Sequence, residues 1–170
     1  NLQKITFFLP KLTYGGAERV IIDIANNLSK RGYLVDFVLA KGGNIYVDEI
    51  CPSINIINLN CKSTFLSFLP LSRYIKKSRP NGIISALSHS NCVALLARKI
   101  SNSNNTKILV SERNISYRNT TNRIGLKRVV LDKLIKYLYP EAKCIVTVSE
   151  GVRKSIISTY KFKGNQVKCI

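Results

Sequence analysis

The chain has 170 residues, 45% of them hydrophobic, and carries 27 Lys and Arg against nine Asp and Glu, a formal net charge of +18. That length and hydrophobic content fit one folded α/β domain with its own core and exclude a disordered polymer. No apolar run reaches the roughly 18–20 residues of a membrane span, and the apolar start of the chain is too short, and too soon followed by turn residues, to be a signal peptide.

In chain order, the pattern alternates strands with helices. Lys4–Leu9 is a first strand. Gly15–Lys30 is a helix, with Ala17, Val20, Ile21, Ile24, Ala25 and Leu28 on one face. Arg31-Gly32 ends it with a basic last turn and a glycine. Tyr33–Ala40 is strand two, and Lys41-Gly42-Gly43-Asn44 a loop before a short helical turn around Tyr46–Ile50. Ile54–Leu59 is strand three. Leu66–Ser78 is helical, with Pro70 in or near its start. Ile83–Leu87 is strand four, Asn91–Ile100 a helix, Ser101–Asn105 a polar turn and Lys107–Val110 strand five. A polar loop, Ile115–Asn122, leads to a basic helix, Ile124–Leu138. Lys143–Val148 is strand six, Ser149 caps a helix over Glu150–Tyr160, and Val167–Ile170 starts strand seven.

Strands alternating with helices predict an α/β fold: a Rossmann-like, doubly wound, mainly parallel sheet with helices on both faces. One such domain spans residues 1–170. The chain stops within a strand, so the expectation is one half of a longer protein. In these sheets ligands bind beyond the carboxyl ends of the strands. The polar residues collect there: Gly15 and Gly16 after strand one, Ser88-His89-Ser90-Asn91 after strand four, Ser111-Glu112-Arg113-Asn114 after strand five, and Ser149-Glu150-Gly151 after strand six.

Gly15-Gly16 is the most telling of these. Two glycines at a strand-to-helix turn let a ligand approach the backbone, because no Cβ intervenes. The helix that follows points free N–H groups and its positive end at the same place, which favours an anion such as a phosphate. It is not the dinucleotide fingerprint, because G-x-G-x-x-G is absent and strand two ends in Val38-Leu39-Ala40-Lys41 without an acid for a ribose. No G-K-[ST] occurs, so it is not a P-loop. One histidine and five scattered cysteines with no Cys-x-x-Cys argue against a metal site or a disulfide framework. The thiols read as reduced, cytosolic and mostly buried.

The charge is lopsided. Residues 62–136 hold fifteen Lys and Arg against two acids, whereas residues 1–61 hold six against five. Such a field attracts nucleic acid, anionic lipid or phosphorylated substrates. In the basic helix, Arg123, Lys127, Arg128, Lys133 and Lys136 stand beside Ile124, Val129, Val130, Leu131, Leu134 and Ile135, which suits an anionic membrane surface. Arg73, Lys76, Lys77 and Arg79 extend that surface. No RNP sequence, GXXG clamp or zinc finger supports nucleic-acid binding, and aromatics are sparse in the basic region. A basic nucleic-acid-binding module and a non-catalytic scaffold remain the alternative readings.

Taken together, Gly15-Gly16-Ala17-Glu18-Arg19-Val20, Asn26 to Tyr33, Arg79-Pro80-Asn81, Ser111-Glu112-Arg113-Asn114 and Ala142 to Val152 resemble the N-terminal domain of family 4 glycosyltransferases of the GT-B fold. The likeness is collinear over nearly the whole chain. It departs at Asn81 and Lys143, where the family often has Asp. The resemblance implies two Rossmann-like domains with the active site between them. The N-terminal half is the acceptor side, and the C-terminal half, absent here, holds the nucleotide-sugar donor. It also implies retention of anomeric configuration and no metal or other cofactor. With the basic helix, it gives the expectation of a lipid-linked or polysaccharide acceptor at the cytoplasmic membrane face.

By that resemblance, Gly15 and Gly16 lie near the donor diphosphate and sugar. His89 is the catalytic candidate, able to hydrogen-bond a sugar hydroxyl or an acceptor phosphate. Glu112, Arg113 and Arg19 are the acceptor-side candidates. Arg113 offers a bidentate grip on phosphate, and Glu112 either orients Arg113, accepts from a sugar hydroxyl, or closes the loop as a salt bridge.

Overall fold

The computed structural model of the chain describes residues 3–13, 15–43, 47–113 and 125–170. The elements are β1 (Lys4–Leu9), α1 (Gly16–Lys30), β2 (Leu34–Leu39), β3 (Asn55–Asn58), α2 (Phe68–Ser78), β4 (Gly82–Ala86), α3 (Ser88–Ser101), β5 (Lys107–Glu112), α4 (Leu126–Leu138), β6 (Cys144–Thr147), α5 (Glu150–Tyr160) and β7 (Val167–Cys169). Short 3₁₀ turns fall at Val47–Glu49, Phe65–Ser67 and Tyr139–Glu141. The strands form one parallel sheet in the order β3-β2-β1-β4-β5-β6-β7. This is the Rossmann-like α/β fold that the alternation predicts.

The period of two along the strands sorts side chains onto two cores. Phe7, Leu9, Val35, Phe37 and Leu39 face α1, where Ile21, Ile22 and Ala25 meet them. Phe7 and Phe37, paired across β1 and β2, bring their ring centroids to 5.4 Å. On the other face Phe8, Val38, Ile83, Ile108, Val110 and Ile145 pack against α2, α3, α4 and α5. The buried stripe of α1 differs from the one expected. Ile22 joins it, while Val20 and Ile24 are exposed, because the helix is rotated to set Ile21, Ile22 and Ala25 over the two phenylalanines.

The boundaries differ where polar residues carry the chain out of the sheet. Leu87, expected in strand four, is instead the residue before α3, with φ +75° and ψ 132°. Its carbonyl accepts the Asn91 N–H at 2.9 Å. Ser88, His89 and Ser90, expected to precede the helix, therefore form its first turn. β5 runs on to Glu112, two residues further than expected. The five thiols are free, but only Cys92 is buried. Cys51, Cys61 and Cys144 are partly exposed and Cys169 is exposed, contrary to the expectation of mostly buried cysteines. Among the described residues no helix is long and apolar enough to cross a membrane.

A buried polar cluster ties the left side of the sheet to α2. Asp36, 2% exposed on β2, accepts from Tyr74 Oη at 2.6 Å and from Asn55 Nδ2 at 3.1 Å, and pairs with Lys4 Nζ at 3.3 Å. Thr6 shares a 2.8 Å hydrogen bond with Tyr74. Burial and the Asp36 carboxylate both push the Tyr74 hydroxyl well above its ordinary value, so it stays protonated as a donor. Replacing Asp36 by Ala strands these partners. We expect a loss of about 2–4 kcal/mol, read as a shift of the urea midpoint at constant slope.

Candidate active site at the carboxyl edge of the sheet

The strand order reverses between β1 and β4. β1 sends the chain left to β2, whereas β4 sends it right to β5. The connections diverge and leave a crevice above these two strands, the usual ligand position in such sheets. Gly15 and Gly16 lie on one side of it and Leu87 to Ser90 on the other.

Gly15 is the N-cap of α1, with extended backbone, and its carbonyl accepts from the Arg19 N–H at 3.1 Å. Glu18, three residues on, folds its carboxylate back over the cap in the manner of a capping box. A Cβ on Gly15 would lie 2.3 Å from Glu18 Oε2, so this glycine makes room for its own helix's cap. Gly16 is different. It is exposed, and a Cβ there would meet nothing within 4 Å. Nothing among the described residues requires Gly16 to be glycine. Its small size leaves the helix N-terminus open to a ligand.

Arg113 follows β5 and is half-buried, and its buried Nε has no hydrogen-bond partner among the described residues. Burial lowers its proton affinity, and the Glu18 carboxylate opposes that shift. Glu18 thus links the glycine turn electrostatically to the end of β5. His89, half-buried in the first turn of α3, is held below the ordinary histidine pKa, first by burial and then by the positive charge of Lys41 at the end of β2. Its imidazole is neutral at pH 7 and able both to donate and to accept. Arg19 is exposed in the first turn of α1.

Glu112 is 3% exposed, and its neighbours occupy its carboxylate. Oε2 accepts from Ser88 Oγ at 2.9 Å, and Oε1 accepts from Asn91 Nδ2 at 3.0 Å and from Tyr139 Oη. Asn91 Nδ2 also donates to the Ser111 carbonyl at 3.0 Å, and Asn91 Oδ1 accepts from Ser85 Oγ at 2.6 Å. One carboxylate therefore locks the start of α3 to the end of β5. It sets the backbone that presents His89 on one side and Arg113 on the other. Leu87, with its left-handed φ, stores strain within this turn, of order 1–3 kcal/mol for such backbone. Ser149 accepts from the Val152 N–H at 3.3 Å and Glu150 pairs with Arg153 at 2.9 Å. Both are helix-start contacts. Ser149→Ala is expected to lower stability by about 1 kcal/mol, measured by thermal unfolding.

On the basic helix, Lys133 and Lys136 are exposed, and Arg128 pairs with Asp132 at 3.9 Å. Arg123 and the Lys127 side chain lie outside the described residues, as does the loop expected at 115–122. Leu126, 80% exposed, and Tyr137, 66% exposed, stand on the same outer side as Val130 and Lys133. Lys99 Nζ covers the Tyr137 ring at 4.7 Å. The roles of Lys41, Leu87 and Tyr139 were not visible in the sequence. Asn91 was, as one of the polar residues after strand four, though its bonds to Glu112 and Ser111 were not.

The family model described as Glycosyltransferase Family 4 matches residues 14–170. The chain belongs to glycosyltransferase family 4. An uncharacterized glycosyltransferase of Haemophilus influenzae is 42% identical over 60 residues, 35% of this chain and 17% of that protein. A crystal structure of a glycosyltransferase from Rickettsia africae superposes with a TM-score of 0.71 at 21% identity, covering 100% of this chain and 43% of that one. The Anabaena HepE structure, determined in complex with UDP, gives 0.70 at 16% identity, covering 99% and 43%. The chain thus spans less than half the length of these relatives. The two solved structures share its fold, that of the GT-B glycosyltransferases.

Proposed function

We propose that this family 4 chain is the N-terminal, acceptor-side half of a two-domain, retaining glycosyltransferase. The full enzyme moves a sugar from a nucleotide-sugar donor to a lipid-linked or polysaccharide acceptor at the cytoplasmic membrane face, without a metal or other cofactor. The observation that carries this reading is the open Gly16 backbone at the N-terminus of α1, facing the crevice at the strand-order reversal. The UDP held by the Anabaena relative supports the donor class.

In this reading the acceptor hydroxyl attacks from the face that the leaving diphosphate departs. The N–H groups at the start of α1 lie beside the diphosphate and stabilise its developing charge. Arg113 and Arg19 hold the acceptor side, where the Arg113 Nε finds a partner that it has nowhere among the described residues. His89, neutral, hydrogen-bonds a sugar hydroxyl or an acceptor phosphate. Because His89 must be neutral, transfer should fall on acidification with a midpoint below the ordinary histidine value. His89→Gln should flatten that acid limb. An acid limb unchanged in the variant would remove His89 from the site.

The exposed side of α4, with Lys133, Lys136, Leu126 and Tyr137, lies in this proposal against anionic lipid. Each basic residue there contributes on the order of 1 kcal/mol. The test is nucleoside diphosphate release from a panel of nucleotide-sugars. The full-length protein should release it, and the isolated 170-residue chain should not. Turnover by the isolated chain would overturn the two-domain assignment. Co-sedimentation with anionic vesicles, weakened by Lys133→Glu with Lys136→Glu, tests the membrane face. No binding to neutral or anionic vesicles would remove it.

A further inference from the structure

The opposite edge of the sheet, where the strands begin, holds a concentration of positive charge; four of its cations have no part in the transferase reading, and Lys76 and Arg79, expected to extend a membrane surface, lie here instead. Two cavities adjoin there, of about 790 Å³ and 800 Å³, sharing Asn104 and Thr106 in their walls. Lys76 and Arg79, from the end of α2, line one. Lys107 at the start of β5, Lys143 just before β6, and Lys161 and Lys163 between α5 and β7 line the other. The carboxylate in these walls is Glu141. It is already engaged by Arg98 at 3.2 Å and Lys99 at 2.8 Å, and these contacts hold it below the usual carboxylate range. Among the described residues none of the six cations Lys76, Arg79, Lys107, Lys143, Lys161 and Lys163 has a carboxylate within salt-bridge distance.

The walls between these cations are fixed. Thr106 Oγ1 donates to the Pro80 carbonyl at 2.8 Å, holding the lead into β5 against the lead into β4. Gln166 Nε2 reaches the carbonyls of Tyr139, Pro140 and Ala142 at 3.0–3.3 Å, holding the α5–β7 connection against the turn before β6. Neighbouring parallel strands stand about 4.8 Å apart. The leads into β4, β5 and β6 therefore set successive cations along a row rather than around a point. Like charges gathered on a rigid frame raise the local potential and draw a multivalent anion. The volumes suit an extended ligand rather than a single ion.

We infer that this edge is a second site, separate from the transfer crevice, for a linear polyanion bearing successive phosphate groups. The crevice lies beyond the carboxyl ends of the strands and this row beyond their starts, so both can be filled together. Its occupant lies across the leads into β4, β5 and β6, with charge on the six cations and hydrogen bonds from the exposed Asn104.

Sodium tripolyphosphate, titrated calorimetrically against the chain at two salt concentrations, tests this. The expected result is saturable binding that weakens as salt rises. Lys143→Gln with Lys161→Gln should weaken it at least tenfold, and the charge-matched control Lys30→Gln with Lys154→Gln by less than twofold. Circular dichroism checks that both variants fold, and Lys107→Gln with Lys163→Gln gives a second, independent pair. Absence of tripolyphosphate binding would overturn the proposal. So would equal loss in cavity and control variants, which would mean attraction to the net charge alone. Binding to phosphatidylglycerol vesicles that the cavity variants lose, without any to tripolyphosphate, would also overturn it in favour of lipid headgroups.

Discussion

Replacing Glu112 by Ala is expected to lower the free energy of unfolding by about 3–5 kcal/mol. Ser88, Asn91 and Tyr139 all direct donors at this carboxylate, and each is buried. A buried donor left without an acceptor costs about 1–3 kcal/mol, and partial relaxation keeps the total below the sum. The effect carries a pH signature. Burial pushes the Glu112 carboxyl above the usual carboxylate range, against the hydrogen bonds from Tyr139, Ser88 and Asn91. A carboxyl raised in the folded state favours folding while it is protonated. That contribution is full below the unfolded value, about 4.3, and is lost as pH rises through the folded one. The wild-type unfolding free energy should therefore carry a downward slope above that value, which Glu112→Ala lacks. A loss below 1 kcal/mol, or parallel pH profiles, would mean that Glu112 does not hold α3 to β5.

Gly16→Ala is expected to leave stability unchanged or raise it by up to about 1 kcal/mol, while lowering sugar transfer by the full-length protein 100-fold or more. The two halves of this expectation have separate causes. Within the domain, a Cβ at this position meets nothing within 4 Å, and Ala is the better residue in a helix. At the crevice, the same Cβ stands between the α1 N-terminus and a diphosphate that needs the backbone N–H groups directly. Gly15→Ala is the instructive contrast. Its Cβ would collide with the Glu18 carboxylate, so it should disturb the helix cap whether or not a ligand binds. Full activity in Gly16→Ala would place the diphosphate elsewhere.

The fold was legible because its signals are local and repeated. Phe7 and Phe8 point to opposite faces of β1, and the glycine turn and the Ser149 cap mark where α1 and α5 begin. What the sequence hid depends on contacts far apart in the chain. Tyr139 lies 27 residues from Glu112 and Asp36 lies 38 from Tyr74. No periodicity links such pairs. Leu87 shows a second limit, since an apolar residue after Ile83 to Ala86 reads as more strand. Its left-handed turn is held by hydrogen bonds of Ser85, Ser88 and Asn91. The grouping of Gly15, Gly16, His89 and Arg113 at one edge was readable from strand ends alone. The satisfaction of Glu112 by its own neighbours, which makes it a positioning residue for the loops beside it, was not.

The most direct test of the account is hydrogen exchange on the full-length protein with and without a saturating nucleotide-sugar donor. Exchange should slow in residues 15–19, 88–91 and 111–113, with residues 79–82, 104–107 and 161–166 at the opposite edge unaffected. Donor binding that leaves the first three segments unchanged, or that protects only the opposite edge, would contradict it.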